Sequence, residues 1–233
     1  MGRVYISGEA GQELCSYISG MDHEIIKAEK TDAVYDEVSA HPDIYMCKLG
    51  ALAEDPVFAG NRENLGYRYP ENIIYNAAVC GRYFIHNTRY TDPELFSAAG
   101  EYIKEKYADS EDPGRRVMKK VYVRQGYTKC NIAVIDDSHI ITEDRGIAKE
   151  IAHKCGDDIK VLLIEHGHVA LRGFPYGFIG GASGRVGNEM IFNGSIKEHP
   201  DYSRIKEFIG DAGLAVKDFG YELTDIGSII YEA

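Results

Sequence analysis

One supersecondary unit recurs along this chain, and such repetition restricts the fold more tightly than any single motif. It is clearest from Cys130 to Gly173. Cys130-Asn131-Ile132-Ala133-Val134-Ile135 alternates at period two, Asp136-Asp137-Ser138 has turn chemistry, and His139-Ile140-Ile141-Thr142 pairs back as a second strand. Ile147, Ala148, Ile151 and Ala152 then fall at helical spacing, and Gly156-Asp157-Asp158 stops the helix before Lys160-Val161-Leu162-Leu163-Ile164 resumes as a buried strand. The order is strand, strand, helix, strand.

The same order is found elsewhere. Asn72–Cys80 and Tyr83-Phe84-Ile85 form a strand pair ahead of a helix from Asp92 to Tyr107, with Asp92 as its cap, Pro93 in its first turn and Leu95, Phe96, Ala99, Tyr102 and Ile103 on its apolar face. Val117–Val123 closes that copy. Phe178–Ser183 and Met190-Ile191-Phe192 open another, followed by a helix carrying Ile205, Phe208, Ile209 and Ala212 and a strand at Leu214-Ala215-Val216. The N-terminus supplies a half pair, Arg3–Ile6, then a helix with Leu14, Tyr17 and Ile18 and a strand at Glu24–Lys27; the missing partner is the last strand, Gly227–Tyr231. A fifth, degenerate copy begins at Ile44-Tyr45-Met46-Cys47, with its second strand near Ala51 and the polar stretch from Asp55 to Pro70 in place of a helix. Second strands recur at roughly 35 to 55 residues, an interval typical of repeat architectures. The alternative is an ordinary α/β sandwich whose units merely look alike.

Composition fits one compact body over residues 1–233, with 44% hydrophobic residues and a last strand that closes on the first. No apolar run reaches the ~20 residues of a membrane helix, and no basic, apolar leader marks secretion. The expected location is the cytoplasm, where five cysteines without paired spacing stay reduced. A formal charge of −11 argues against nucleic acid as the partner, because counterion release needs clustered Lys and Arg. The one dense basic stretch, Arg115-Arg116 with Lys119-Lys120, reads as a solvated strand edge.

Gly126-Tyr127-Thr128-Lys129-Cys130-Asn131, Ile141-Thr142-Glu143-Asp144, Tyr176–Ser183 and Asp225-Ile226-Gly227-Ser228-Ile229 carry a resemblance to a known family. With the five strand-strand-helix-strand units, they resemble the pentein fold of guanidino-group-modifying enzymes, such as arginine and agmatine deiminases, and more closely a bacterial family of that fold without an assigned reaction. The resemblance implies a five-bladed α/β propeller of ββαβ units with pseudo-fivefold symmetry, the C-terminal strand completing the first unit. It also implies a central channel into which a cysteine nucleophile, a histidine acid/base and two carboxylates project; the carboxylates hold a guanidinium while the thiolate attacks its carbon. This chain departs from that pattern. The last-strand stretch where the cysteine is expected reads Thr224-Asp225-Ile226-Gly227-Ser228, the stretch expected to hold the histidine reads Lys129-Cys130-Asn131, and Asn72 and Asn76 stand where a carboxylate would.

The repeat places an unusually polar set around the channel: His41, Asp43, Asn76, Cys130, Asn131, Ser183, Asp225 and Ser228. Such a ring is either a satisfied hydrogen-bond network or a ligand site. The expected catalytic residues are Cys130, His41 and Asp225, with Asp43, Asn76, Asn131, Asp144, Ser183 and Ser228 as ligand-binding residues. Asp225, Asp43 and Asp144 would hold charge and His41 would move protons. His41-Pro42-Asp43 puts histidine and carboxylate on one face of a strand, or else only shapes a strand entry. Cys130 is a nucleophile, with Lys129 or a nearby histidine lowering its pKa, or a small buried hydrophobe.

His199-Pro200-Asp201 reads as a helix start. Gly180-Gly181-Ala182-Ser183-Gly184 lacks the lysine of a phosphate loop and reads as a close backbone approach. His166-Gly167-His168 nominates no third metal ligand, so neither metal nor cofactor is expected. The function these residues imply is hydrolysis of a carbon–nitrogen bond in a small cationic or amide-bearing metabolite bound in the channel. The alternative is a non-catalytic protein of the same fold that binds a ligand or a macromolecule.

Overall fold

A computed structural model describes residues 1–233. Its elements assemble into five small, separate sheets rather than one closed barrel. The first unites β1 (Arg3–Ser7), β2 (Glu24–Ala28) and the C-terminal β14 (Ile230–Glu232). β14 runs antiparallel to β1 with Val4 opposite Tyr231, as the half pair at the N-terminus requires, and β2 runs parallel to β1. β3 (Met46–Lys48) pairs antiparallel with β4 (Val57–Ala59) alone. The other sheets are β5 (Ala78–Cys80), β6 (Tyr83–His86) and β7 (Lys119–Tyr122); β8 (Ile132–Val134), β9 (His139–Thr142) and β10 (Lys160–Leu163); and β11 (Ser183–Val186), β12 (Glu189–Phe192) and β13 (Ala215–Lys217). In each, the first two strands are antiparallel and the last two parallel.

A parallel pair cannot be joined by a tight turn, so each one is bridged by a helix. These are α1 (Gln12–Gly20), α2 (Pro93–Lys106), α4 (Arg145–Cys155) and α5 (Tyr202–Asp211), while α3 (Thr128–Asn131) is a single turn ahead of β8. Each crossover helix buries one stripe: Leu14 and Ile18, Leu95, Ala99 and Ile103, Ile147, Ile151 and Cys155, and Ile205 and Ile209. Asp92 caps α2 through Oδ1, which accepts from the amides of Glu94 (2.9 Å) and Leu95 (3.1 Å). Four apolar clusters fill the spaces between elements, one of them joining Val4, Ile6 and Leu14 to Val186, Ile191, Ile226 and Ile229.

The first strands of successive units are neighbours, β14 beside β11, β11 beside β8, β8 beside β5 and β5 beside β3. Gly184 marks how close they come: a Cβ there would lie 1.8 Å from the Ile229 carbonyl oxygen. No helix is long and apolar enough to cross a membrane.

Several expected strand starts are instead irregular, and these places form the site. Cys130 and Asn131 lie in α3, not on a strand, because Asn76 Oδ1 accepts from the backbone amides of Lys129 (2.8 Å) and Cys130 (3.2 Å) and so stabilises a helical turn. The segment from Asn72 to Ala77 is not strand, β5 beginning only at Ala78. Phe178 is irregular and residues 179–182 are turn, with β11 beginning at Ser183. His41-Pro42-Asp43 enters a 3₁₀ turn (Pro42–Ile44), as the fixed φ of Pro42 favours, so the expected shared strand face does not exist. The second strand of the degenerate unit is at Val57, not Ala51.

Candidate functional site

Three segments without regular strand geometry meet at one place: the 3₁₀ turn at residues 42–44, α3, and the turn before β14. Gly227 has φ +71° and Ser228 φ +76°. Glycine is needed at 227 on two counts, since a Cβ there would also come within 2.2 Å of His41 Cβ. The turn seats His41 against the C-terminal segment and delivers Ser228 to the centre.

A cavity of about 250 Å³ opens beside this junction, lined by Tyr35, His41, Tyr127, Cys130, Phe174, Asp225 and neighbours that are mostly apolar. Its lining unites the three residues expected to be catalytic, Cys130, His41 and Asp225. His41 Nδ1 stands 3.8 Å from Asp225 Oδ1, near enough for charge to act but too far for a hydrogen bond. Asp225 is fixed by the backbone, Oδ1 accepting from the amide of Gly227 (3.0 Å) and Oδ2 from that of Phe178 (3.0 Å). Burial still lifts its pKa to about 6. Burial also holds the His41 imidazolium below its ordinary range, so the ring is neutral near pH 7.

Behind Cys130 lies a polar cluster centred on Asp43, in which Asp43, Asn76 and Ser228 are fully buried. Asp43 Oδ2 accepts from Cys130 Sγ (3.2 Å) and Ser228 Oγ (2.7 Å), while Oδ1 is buried without a partner. Asn76 Nδ2 donates to the Asp43 carbonyl (3.1 Å) and to Cys130 Sγ (3.3 Å). Lys129 Nζ donates to Ser228 Oγ (3.0 Å) and to the Gly180 carbonyl (3.2 Å). Burial, reinforced by Asp43 and Asp225, raises the Cys130 thiol well above its usual value. Burial raises Asp43 and lowers Lys129.

Asp43 and Asn76 thus hydrogen-bond to Cys130 and Ser228 to Asp43, all three behind the cavity rather than in its lining. The other predicted ligand-binding residues neither line this cavity nor bond to Cys130. Asp144 caps α4, its Oδ1 accepting from the amides of Gly146 (2.6 Å) and Ile147 (2.9 Å), and so does not hold charge in the site. Asn131 Nδ2 donates to the Tyr127 carbonyl (3.0 Å) inside its own turn. Ser183 Oγ donates to the Ile179 carbonyl (2.7 Å), and Ser183 lines a second, separate cavity with Lys129.

Glu143, one residue before the expected Asp144, is the acid that turns inward. Its Oε2 accepts from the Ile179 amide (3.0 Å), its Oε1 is buried and unpartnered, and burial lifts its pKa to about 7. The sequence carries a signal for this: in Thr-Glu-Asp before a helix, the aspartate is claimed as cap and the preceding side chain faces the other way. Sequence reasoning marks Lys129 only as a neighbour of Cys130, although it is the one lysine in the cluster. No three His, Cys, Asp or Glu side chains gather as a metal site.

The sequence model of the Family of unknown function (DUF6873) matches residues 55–230, well over half of the chain. The chain belongs to this family. The DUF6873 span contains Asn76, Lys129, Cys130, Glu143, Asp225 and Ser228, whereas His41 and Asp43 lie before it. No curated protein and no solved structure matches the chain.

Proposed function

We propose that this protein binds a small organic cation in the cavity beside Cys130 and hydrolyses a carbon–nitrogen bond in it. The observation that carries the proposal is a surplus of buried acid. Asp225 lines the cavity, Asp43 and Glu143 are buried near it outside the lining, the one lysine among them is Lys129, and two of the carboxylate oxygens have no hydrogen-bond partner. Buried carboxyls without compensating charge are costly. A guanidinium or amidinium would supply the missing charge, and Tyr35, Tyr127, Phe174 and Tyr176 offer ring faces that attract cations. The cavity lies below the ~300 Å³ lower end of ordinary ligand sites, which suits a metabolite rather than a polymer. Its lining holds no Lys or Arg to receive a substrate carboxylate, which favours an amine over an amino acid.

In the reaction, the Cys130 thiolate attacks the cationic carbon, one nitrogen leaves as ammonia, and water then releases the product as a urea or amide while restoring the thiol. Neutral His41 moves protons between water and the leaving nitrogen. Asp225, anchored by two backbone amides, holds the cation. The adjacency of β14, β11, β8, β5 and β3 supports a pentein-type five-bladed arrangement of a single domain, which would put this cavity at one mouth of the central channel.

A second reading, a pocket that binds the cation without chemistry, draws on the thiol itself, which Asp43 and Asn76 hold and burial keeps protonated. Incubation with agmatine and related alkylguanidines, followed by an ammonia assay and calorimetric titration, separates the readings. Ammonia released by the natural protein and lost in Cys130→Ala supports hydrolysis. Binding without ammonia supports the second reading, and absence of both refutes the cation site.

A further inference from the structure

Lys129 and Cys130 are consecutive, yet they face different cavities. Cys130 lines the cation cavity, and Lys129 lines a smaller one of about 40 Å³ formed with Lys48, Val134, Ser183, Gly184, Arg185 and Ile229 among others; the two share no residue. Between them runs an unbroken set of hydrogen bonds: Cys130 Sγ to Asp43 Oδ2 (3.2 Å), Ser228 Oγ to the same oxygen (2.7 Å), and Lys129 Nζ to Ser228 Oγ (3.0 Å).

We propose that Lys129 is the terminal proton acceptor for Cys130, through a relay Cys130–Asp43–Ser228–Lys129 that carries the thiol proton out of the cation cavity and into the second one. The inference rests on Cys130 being the nucleophile. The thiol proton passes to Asp43 Oδ2 and on to Ser228 Oγ as the serine hydroxyl turns and gives its own proton to the free amine of Lys129. The result is a thiolate and an ammonium, with Asp43 and Ser228 restored; no bond between heavy atoms changes and no electrons are transferred between groups.

Two features fit this role. Lys129 retains some solvent access through the second cavity while protein surrounds it, and that burial favours the free amine the relay requires. Ser228 is held at φ +76°, a conformation rarely adopted by side-chain-bearing residues, where its hydroxyl meets Asp43, Lys129 and the Gly180 carbonyl together. The ionisable groups facing the relay are Asp43, Asp225 and Cys47 around Lys129, with Lys48 and Arg185 lining the second cavity beside it, Asp225, Tyr35 and Tyr127 around Cys130, and His41 beside Asp43. The carboxylates oppose thiolate formation in the empty site, so the transfer is completed when a cation occupies the cavity.

The test is the pH profile of Cys130 alkylation by iodoacetamide between pH 6 and 10, read by peptide mass mapping with agmatine present and absent. It compares the natural protein with Lys129→Met and Ser228→Gly. Glycine suits the positive φ at 228 and leaves the Lys129 side chain in place, so this variant keeps the test valid should Lys129→Met fold poorly. The relay predicts a midpoint at least one pH unit higher in each variant and a rate at pH 7.5 at least tenfold lower.

A shift in Lys129→Met alone would mean that the lysine acts only through its charge, and this overturns the relay. Unchanged profiles in both folded variants do the same while leaving Cys130 as nucleophile. A natural protein whose Cys130 reacts no faster than Cys15, Cys47, Cys80 and Cys155 at any pH overturns the nucleophile and the relay together.

Discussion

Replacing Glu143 with glutamine isolates the cost of burying acid in this site. The glutamine side chain can still accept from the Ile179 amide, so the main structural contact survives while the ionisable group disappears. Burial moves the Glu143 pKa from 4.5 to about 7. At 1.36 kcal/mol per unit, ionising it in the folded protein costs about 3 kcal/mol more than in the unfolded chain. Between these two pKa values the folded state binds more protons than the unfolded state, so stability falls as pH rises. The contribution is fully present below pH 4.5 and lost once the pH passes about 7. Urea denaturation of both proteins at intervals from pH 4.5 to 8 measures it. The difference in unfolding free energy should shift by about 3 kcal/mol in favour of Glu143→Gln across that range. The offset at any one pH includes the unpartnered amide NH₂ of the variant, so the slope is the test. A pH-independent difference would refute the claim that Glu143 is an uncompensated buried acid.

Other substitutions probe the scaffold around the cavity. Asn76→Ala removes the acceptor for two α3 amides and the donor to Asp43 and Cys130, and should cost about 2–4 kcal/mol in urea unfolding. Gly227→Ala meets both a positive φ and the His41 side chain; it should destabilise by about 2 kcal/mol or more and weaken cation binding measured by calorimetry. Arg172→Ala breaks an exposed pair with Asp36 (2.8 Å) and should leave the melting temperature nearly unchanged, because solvent screens a pair this exposed.

Much of the scaffold was legible because its signals are local. Asp92 and Pro93 announced α2, the short apolar runs at His139–Thr142 and Met190–Phe192 announced β9 and β12, and the unpaired first strand called for β14 as its partner. The site was legible as a set of residue types but not as geometry. Cys130 alternates with isoleucine and valine as a strand residue would, yet an Asn76 side chain distant in sequence holds its amide in a helical turn. Local pattern could not see that bond. Glu143 and Asp144 differ in role because α4 takes the second as its cap, which leaves only the first to turn inward. Lys129 was hidden for a related reason: within α3, consecutive side chains leave in different directions, so the lysine and the cysteine reach separate cavities.

The central claim is that Asp225 and its neighbours await an organic cation. Calorimetric titration of agmatine at pH 7.5 into the natural protein and into Asp225→Asn tests it most directly, since asparagine preserves one backbone contact and removes the charge. The account predicts saturable binding to the natural protein, weakened at least tenfold by Asp225→Asn and absent for a neutral alkylurea of the same length. Equal affinity for the charged and neutral compounds, or binding that Asp225→Asn leaves unchanged, would contradict it.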